Sequence, residues 1–145
     1  MAVPDVLIFL DFDGVLRRED APRYRFEKPL RVAFEAAVRR IPEVQIVVTS
    51  TWREVVGLTE LRKLFSPDVA ERIIGVTPFA LVRDDHYRYQ EILAYLKQNG
   101  AEGRQWVAVD DTPAHYPRGV PLILVDPVRG FGRDEAEKLL EMAEA

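Results

Sequence analysis

The chain has 145 residues, a formal net charge of -4 and no cysteine. That size suits one domain, read here as 1–145, with a real core. The absent thiols exclude disulfides, thiolate metal sites and cysteine nucleophiles, and the acidic balance argues against a general nucleic-acid or membrane-surface binder. The opening "MAVPDVLIFLD" lacks the basic start of a secretory signal, and no run nears the roughly 20 apolar residues that span a bilayer. The expectation is a cytoplasmic protein with no membrane partner.

In chain order, a buried apolar strand is expected at 6–10, followed by an irregular flap at 17–29. A helix at 30–39 carries Leu30, Phe34, Ala37 and Val38 on one face, and a second strand lies at 44–48. A helix at 58–65 presents Leu58, Leu61, Leu64 and Phe65, and a strand follows at 73–76. A loop at 77–87 leads into a helix at 88–98, with Ile92, Leu93 and Leu96 inward and Asn99-Gly100 as its stop. Strands at 106–109 and 122–125 and an acidic-fronted helix at 134–143 complete the pattern. Strands alternating with helices imply an α/β, Rossmann-like parallel sheet of five strands covered on both faces.

The chemistry sits at strand ends, where open α/β sheets bind ligands. Asp11, Asp13 and Gly14 in "FLDFDGVL" follow the first strand. The hydroxyl run Thr49, Ser50 and Thr51 in "IVVTSTWRE" follows the second, and Asp110-Asp111 in "WVAVDDTPAHY" follows the fourth. If the first strand is central, these three stretches converge. Crowded carboxylates raise their own pKa values unless a cation sits among them. Oxygen ligands without soft donors suit Mg²⁺, and Mg²⁺ suits a phosphate ligand. One carboxylate can then attack phosphorus, and a second, two residues on, can protonate the leaving oxygen and activate water. Gly14 permits a sharp turn near the phosphoryl oxygens, which the hydroxyl run also helps to hold. Taken singly, each stretch also reads as a solvated turn or a helix cap. Their joint order favours the site.

Together these stretches resemble motifs one, two and four of the haloacid dehalogenase (HAD) superfamily of phosphohydrolases, over essentially the whole chain. The resemblance implies a phosphatase. Asp11 would be the nucleophile and Asp13 the general acid/base, its backbone carbonyl on Mg²⁺. Ser50, or Thr51 beside it, would bind the phosphoryl group. Asp111 would ligate Mg²⁺ directly, and Asp110 directly or through water. Motif three needs a Lys or Arg some twenty-odd residues before motif four. Arg88 fits, with Arg83 and Lys97 as alternatives. Arg53 is a candidate substrate contact or a loop-fixing ion pair, and Trp52 belongs to the core or the pocket wall. His86 and His115 lack metal-ligand spacing and read as loop residues. The gaps between motifs hold no cap domain. In this superfamily uncapped members often act on macromolecules, so the implied partner is a phosphorylated nucleic-acid end or phosphoprotein. The competing readings are a phosphoacceptor module and a binding domain that has kept the fold.

Overall fold

The computed structural model describes residues 6–22 and 25–144; Arg23 and Tyr24 of the expected flap lie outside the described residues, as do 1–5 and Ala145. Five parallel strands form one sheet: β1 (Val6–Leu10), β2 (Gln45–Val48), β3 (Ile73–Val76), β4 (Gln105–Asp110) and β5 (Leu122–Leu124). Their order is β3-β2-β1-β4-β5. All five residues of β1 are buried, as expected for a central parallel strand covered on both faces.

Alternation along β1 divides the core into two layers. Val6, Ile8 and Leu10 pack with Phe34 and Val38 of helix α1 (Lys28–Arg39) and Leu139 of helix α5 (Arg133–Glu144). Leu7 and Phe9 pack with Ile92, Tyr95 and Leu96 of helix α4 (Tyr87–Gln98). Each such side chain contributes roughly 1.5–3 kcal/mol by leaving water. The expected inward Leu93 is instead 37 % exposed. The buried stripe of α4 runs Arg88, Glu91, Ile92, Tyr95, Leu96, which is the i, i+3, i+4, i+7, i+8 face. Leu93 falls off it and Tyr95 fills the place.

The helix expected at 58–65 is shorter: helix α2 (Leu58–Arg62) ends three residues early. A further short helix that was not expected, α3 (Pro67–Ala70), begins after Ser66 with proline in its first turn. Proline disfavours a helical residue before it and suits a helix start, so α3 begins where the sequence places Pro67. Between β1 and β2 lie only the flap and α1. Between β2 and β3 lie a short 3₁₀ turn (Thr51–Glu54), α2 and α3, and between β3 and β4 lie a loop and α4. No cap domain is inserted among the described residues. No helix among them is long and apolar enough to cross a membrane.

Candidate active site

The strand order sets β2, β1 and β4 side by side, so their carboxyl ends meet. The Asp11 amide continues the ladder onto Val109 O at 3.0 Å, and the Thr49 amide onto Leu10 O at 2.9 Å. Asp110 closes β4 and Asp111 follows it. One carboxylate oxygen from each of Asp11, Asp110 and Asp111 lies within 4.8 Å of the others.

The electrostatics match that crowding. Burial first, and then the charges of Asp110 and Asp111, hold the Asp11 carboxyl well above its ordinary pKa; Arg88 and the Phe12 amide pull the other way. Burial, followed by Asp110, pushes Asp111 up to about 6, against the Thr112 hydroxyl. Asp110 is tied on both oxygens. Oδ1 accepts the amides of Asp111 (2.7 Å) and Thr112 (3.2 Å), and Oδ2 accepts the Tyr116 hydroxyl (2.8 Å). Three hard oxygen donors with excess negative charge suit a divalent cation, so the residues present fit the metal that HAD domains generally use.

Asp13 stands apart from this cluster. Its side chain is 46 % exposed, and Oδ1 accepts Arg17 Nη1 at 3.0 Å and Trp52 Nε1 at 3.1 Å. Its carboxylate is therefore no member of the metal group, which leaves its backbone carbonyl as the possible ligand. Gly14 adopts φ +80°, and a Cβ placed on it would fall 2.6 Å from Asp111 Cγ. Only glycine fits the turn and the approach. Its amide donates to Arg17 O at 2.7 Å, so Gly14 shapes the turn rather than lending its own N–H to a ligand.

In the hydroxyl run, Ser50 is fully buried and its Oγ accepts the Trp52 amide at 3.2 Å, capping the 3₁₀ turn. Thr51 lines an open cleft of about 420 Å³ together with Asp13, Gly14, Arg17, Trp52 and Asp111. Thr49 Oγ1 is buried with no hydrogen-bond partner among the described residues.

Arg88 opens α4 and is 4 % exposed. Burial opposes its charge, but Asp11 and Glu91 outweigh this and raise its pKa. Its Nη1 bonds Glu91 at 2.8 Å, while its Nε is buried with no partner among the described residues. The alternatives lie elsewhere. Arg83 is half-exposed and paired with Glu54, and Lys97 sits in the last turn of α4, about 13 Å of helix from Arg88.

Arg53 is corrected as a substrate contact. Its five N–H groups go to Thr77 O, Thr49 O, Ser50 O, Pro78 O and Glu91 Oε2. No donor is left for a ligand; Arg53 fixes the loops after β2 and β3. Glu91, which the sequence reading missed, therefore joins Arg88 to Arg53 in one buried network. Also missed were Arg17 and Tyr116, whose partners lie on other loops or further along the same one. The only sequence signal was Arg17 standing four residues after Asp13. His115 packs its ring on Tyr87 at 4.5 Å, and burial, then Arg88, lowers its pKa. It takes no part in the acidic cluster, and neither does His86, the residue before α4.

A parallel sheet with D-x-D after its central strand, hydroxyls after one neighbour and an acidic pair after the other defines a member of the haloacid dehalogenase superfamily. Within it, residues 7–136 match the family described as "HAD domain in Swiss Army Knife RNA repair proteins", and the chain belongs to that family. Membership points to phosphohydrolase-type chemistry. No curated protein and no solved structure matches the chain.

Proposed function

We propose that the protein is a Mg²⁺-dependent phosphatase that hydrolyses a phosphate monoester through an aspartyl-phosphate on Asp11. The observation that carries this reading is the buried Asp11 carboxylate, crowded by Asp110 and Asp111 on one side and countered by Arg88 on the other. Asp11, Asp110, Asp111 and the Asp13 carbonyl would hold Mg²⁺, which supplies neutralising charge to the carboxylates and the phosphoryl oxygens.

The remaining steps belong to the chain. Asp11 attacks phosphorus while Asp13 gives a proton to the leaving oxygen. Asp13 then takes a proton from water, whose oxygen attacks the phosphoryl group and frees Asp11. Ser50, Thr51 and Arg88 stabilise the charge that develops on the phosphoryl oxygens. Arg88 Nε, one of several buried polar atoms without a hydrogen-bond partner among the described residues, supports an anionic ligand beside Asp11.

The cleft has no lid among the described residues, so a large substrate supplies the orientation and water exclusion that a cap would give. Together with the family description, this favours a phosphorylated nucleic-acid end over a phosphoprotein. Absent cysteines fit a reducing compartment, and we place the activity in the cytoplasm. The test is a side-by-side comparison of terminally phosphorylated oligonucleotides, phosphopeptides, phosphometabolites and p-nitrophenyl phosphate at fixed Mg²⁺ and ionic strength. An oligonucleotide should lead in kcat/KM by about tenfold, equivalent to roughly 1.4 kcal/mol of transition-state binding. A small phosphometabolite beating every polymer overturns the substrate assignment. Full turnover in excess EDTA overturns the metal assignment.

A further inference from the structure

Asp13 is held in an unusual way for a side chain that is half-exposed. Both of its hydrogen bonds from other side chains end on the same oxygen, Oδ1, from Arg17 Nη1 at 3.0 Å and Trp52 Nε1 at 3.1 Å. Neither donor is a loose surface group. The Arg17 side chain is 9 % exposed; its Nε donates to Pro22 O at 2.8 Å and its Nη2 to Ala21 O, so Ala21 and Pro22 hold it in place. The backbone repeats the tie, since the Gly14 amide donates to Arg17 O and Asp13 bridges to Arg17. The Trp52 indole is clamped between rings, edge-on to Phe12 at 5.1 Å and stacked with Phe26 at 5.5 Å. Its backbone amide is held by Ser50 Oγ in the hydroxyl run.

We propose that Arg17 and Trp52 are positioning residues that dictate which oxygen of Asp13 handles the proton. This rests on the acid/base reading of Asp13 given above. An oxygen that already accepts two N–H donors is a poor place for a proton, because a proton there would face both donors head-on. Oδ2, which receives neither, is the oxygen that carries it. In the first half-reaction the Oδ2–H bond breaks as the leaving ester oxygen takes that proton, while the P–O(ester) bond breaks and the bond from Asp11 to phosphorus forms. In the second, Oδ2 accepts a proton from water while the water oxygen bonds to phosphorus and the Asp11–phosphorus bond breaks. The two donors stay on Oδ1 throughout. Because Arg17 comes from the flap and Trp52 from the turn after β2, the clamp also makes the acid/base geometry depend on both segments being closed on each other.

Two positioning variants and one reference separate this from a purely structural role. Trp52→Phe keeps a ring in the aromatic stack but removes the donor. Arg17→Gln shortens the side chain and removes its charge and fork. Asp13→Asn is the reference. Each is assayed on two substrates, p-nitrophenyl phosphate, whose leaving group needs no proton, and a simple alkyl phosphate, whose leaving group does. General acid catalysis contributes about 10²–10⁴-fold, so a misoriented acid should cost the alkyl ester about tenfold or more in kcat/KM, which reads only the half-reaction in which the leaving group departs, while the aryl ester loses less than about threefold in the same quantity. Thermal melts check folding, and if Trp52→Phe fails to fold, Arg17→Gln alone decides. The expected result is that both positioning variants follow the leaving-group selectivity of Asp13→Asn at smaller amplitude. Equal losses on both esters, with Asp13→Asn still selective, overturn the clamp and leave the acid/base reading intact. An unselective Asp13→Asn overturns the acid/base reading, and the clamp falls with it.

Discussion

Two groups of buried carboxylates in this molecule have opposite surroundings. Glu35, on α1, is 1 % exposed and accepts the Ser66 amide (2.7 Å), the Ser66 hydroxyl (2.8 Å) and Arg31 (2.9 Å), with Arg39 at 3.8 Å. It pins α1 to the start of α3, and every oxygen has a donor. Asp11 is buried and Asp111 partly buried against other carboxylates, and both have pKa values raised by that burial and repulsion. Both groups cost desolvation energy; the first is offset within the protein, the second only in part, by Arg88 on Asp11 and the Thr112 hydroxyl on Asp111. An acidic cluster left unbalanced in a folded chain is a site for something positive, whereas a satisfied one is a fastening.

The contrast is sharpest with Asp11→Asn. Turnover should fall by more than about three orders of magnitude, because the nucleophile is gone at nearly constant shape. Without metal the variant should melt at or above the wild-type temperature, since one of three crowded charges is removed. Wild-type turnover in Asp11→Asn would break the covalent mechanism, and a large loss of Tm would break the contrast. Glu35→Ala should do the reverse. Stranding the Ser66 amide and Arg31 costs about 3 kcal/mol, or a Tm drop of roughly 6–12 °C at this chain length, with kcat unchanged below the melt.

A smaller effect follows from Asp111, whose folded pKa of about 6 lies above the ordinary aspartate value of 3.8. The folded state binds this proton more tightly than the unfolded state does. The resulting stability is fully present below about pH 3.8 and is lost as pH rises through about 6. In EDTA, the Tm of wild type relative to Asp111→Asn should therefore fall over that window. Added Mg²⁺ should recover it at the upper end, where the ligand is ionised. A difference that stays flat from pH 3.8 to 7 would show that the cluster carries no such imbalance. The smallest effect belongs to Asp68, whose pKa the exposed Arg39 lowers to about 2. That contribution is present above pH 3.8 and lost only as pH falls through about 2. Asp68→Asn should give no resolvable change in Tm at pH 7; a clear drop would mean that fastening on α1 extends beyond Glu35.

The strands were legible because each is a short apolar run ended by polar residues, and β1 and β3 match their expected limits to the residue. The acidic cluster was legible because strand order alone brings Asp11 to Asp110 and Asp111. The balanced carboxylates were not. Glu35 meets Ser66 across 31 residues, and Arg53 meets Glu91 across 38, so a charged residue in a helical pattern gave no sign of being buried. For the same reason the sequence left Arg53 open between a substrate contact and the loop-fixing ion pair that it makes. A free guanidinium and one with five internal acceptors look identical in sequence. Arg17 was hidden in a flap whose irregularity offered no period to read.

The order of the sheet has a consequence for how the protein is made. Of the five strands, the central one is the first to leave the ribosome. β1 gains one neighbour once residue 48 has emerged, but Leu7 to Leu10 pair on the other side with Trp106 to Val109, about a hundred residues later. Asp11 must therefore wait at an unfinished edge until residue 109 has emerged, and contacts this distant in sequence close slowly. The nascent chain exposes one edge of an apolar strand over that interval, and Asp11 cannot meet Asp110 and Asp111 before they have been added.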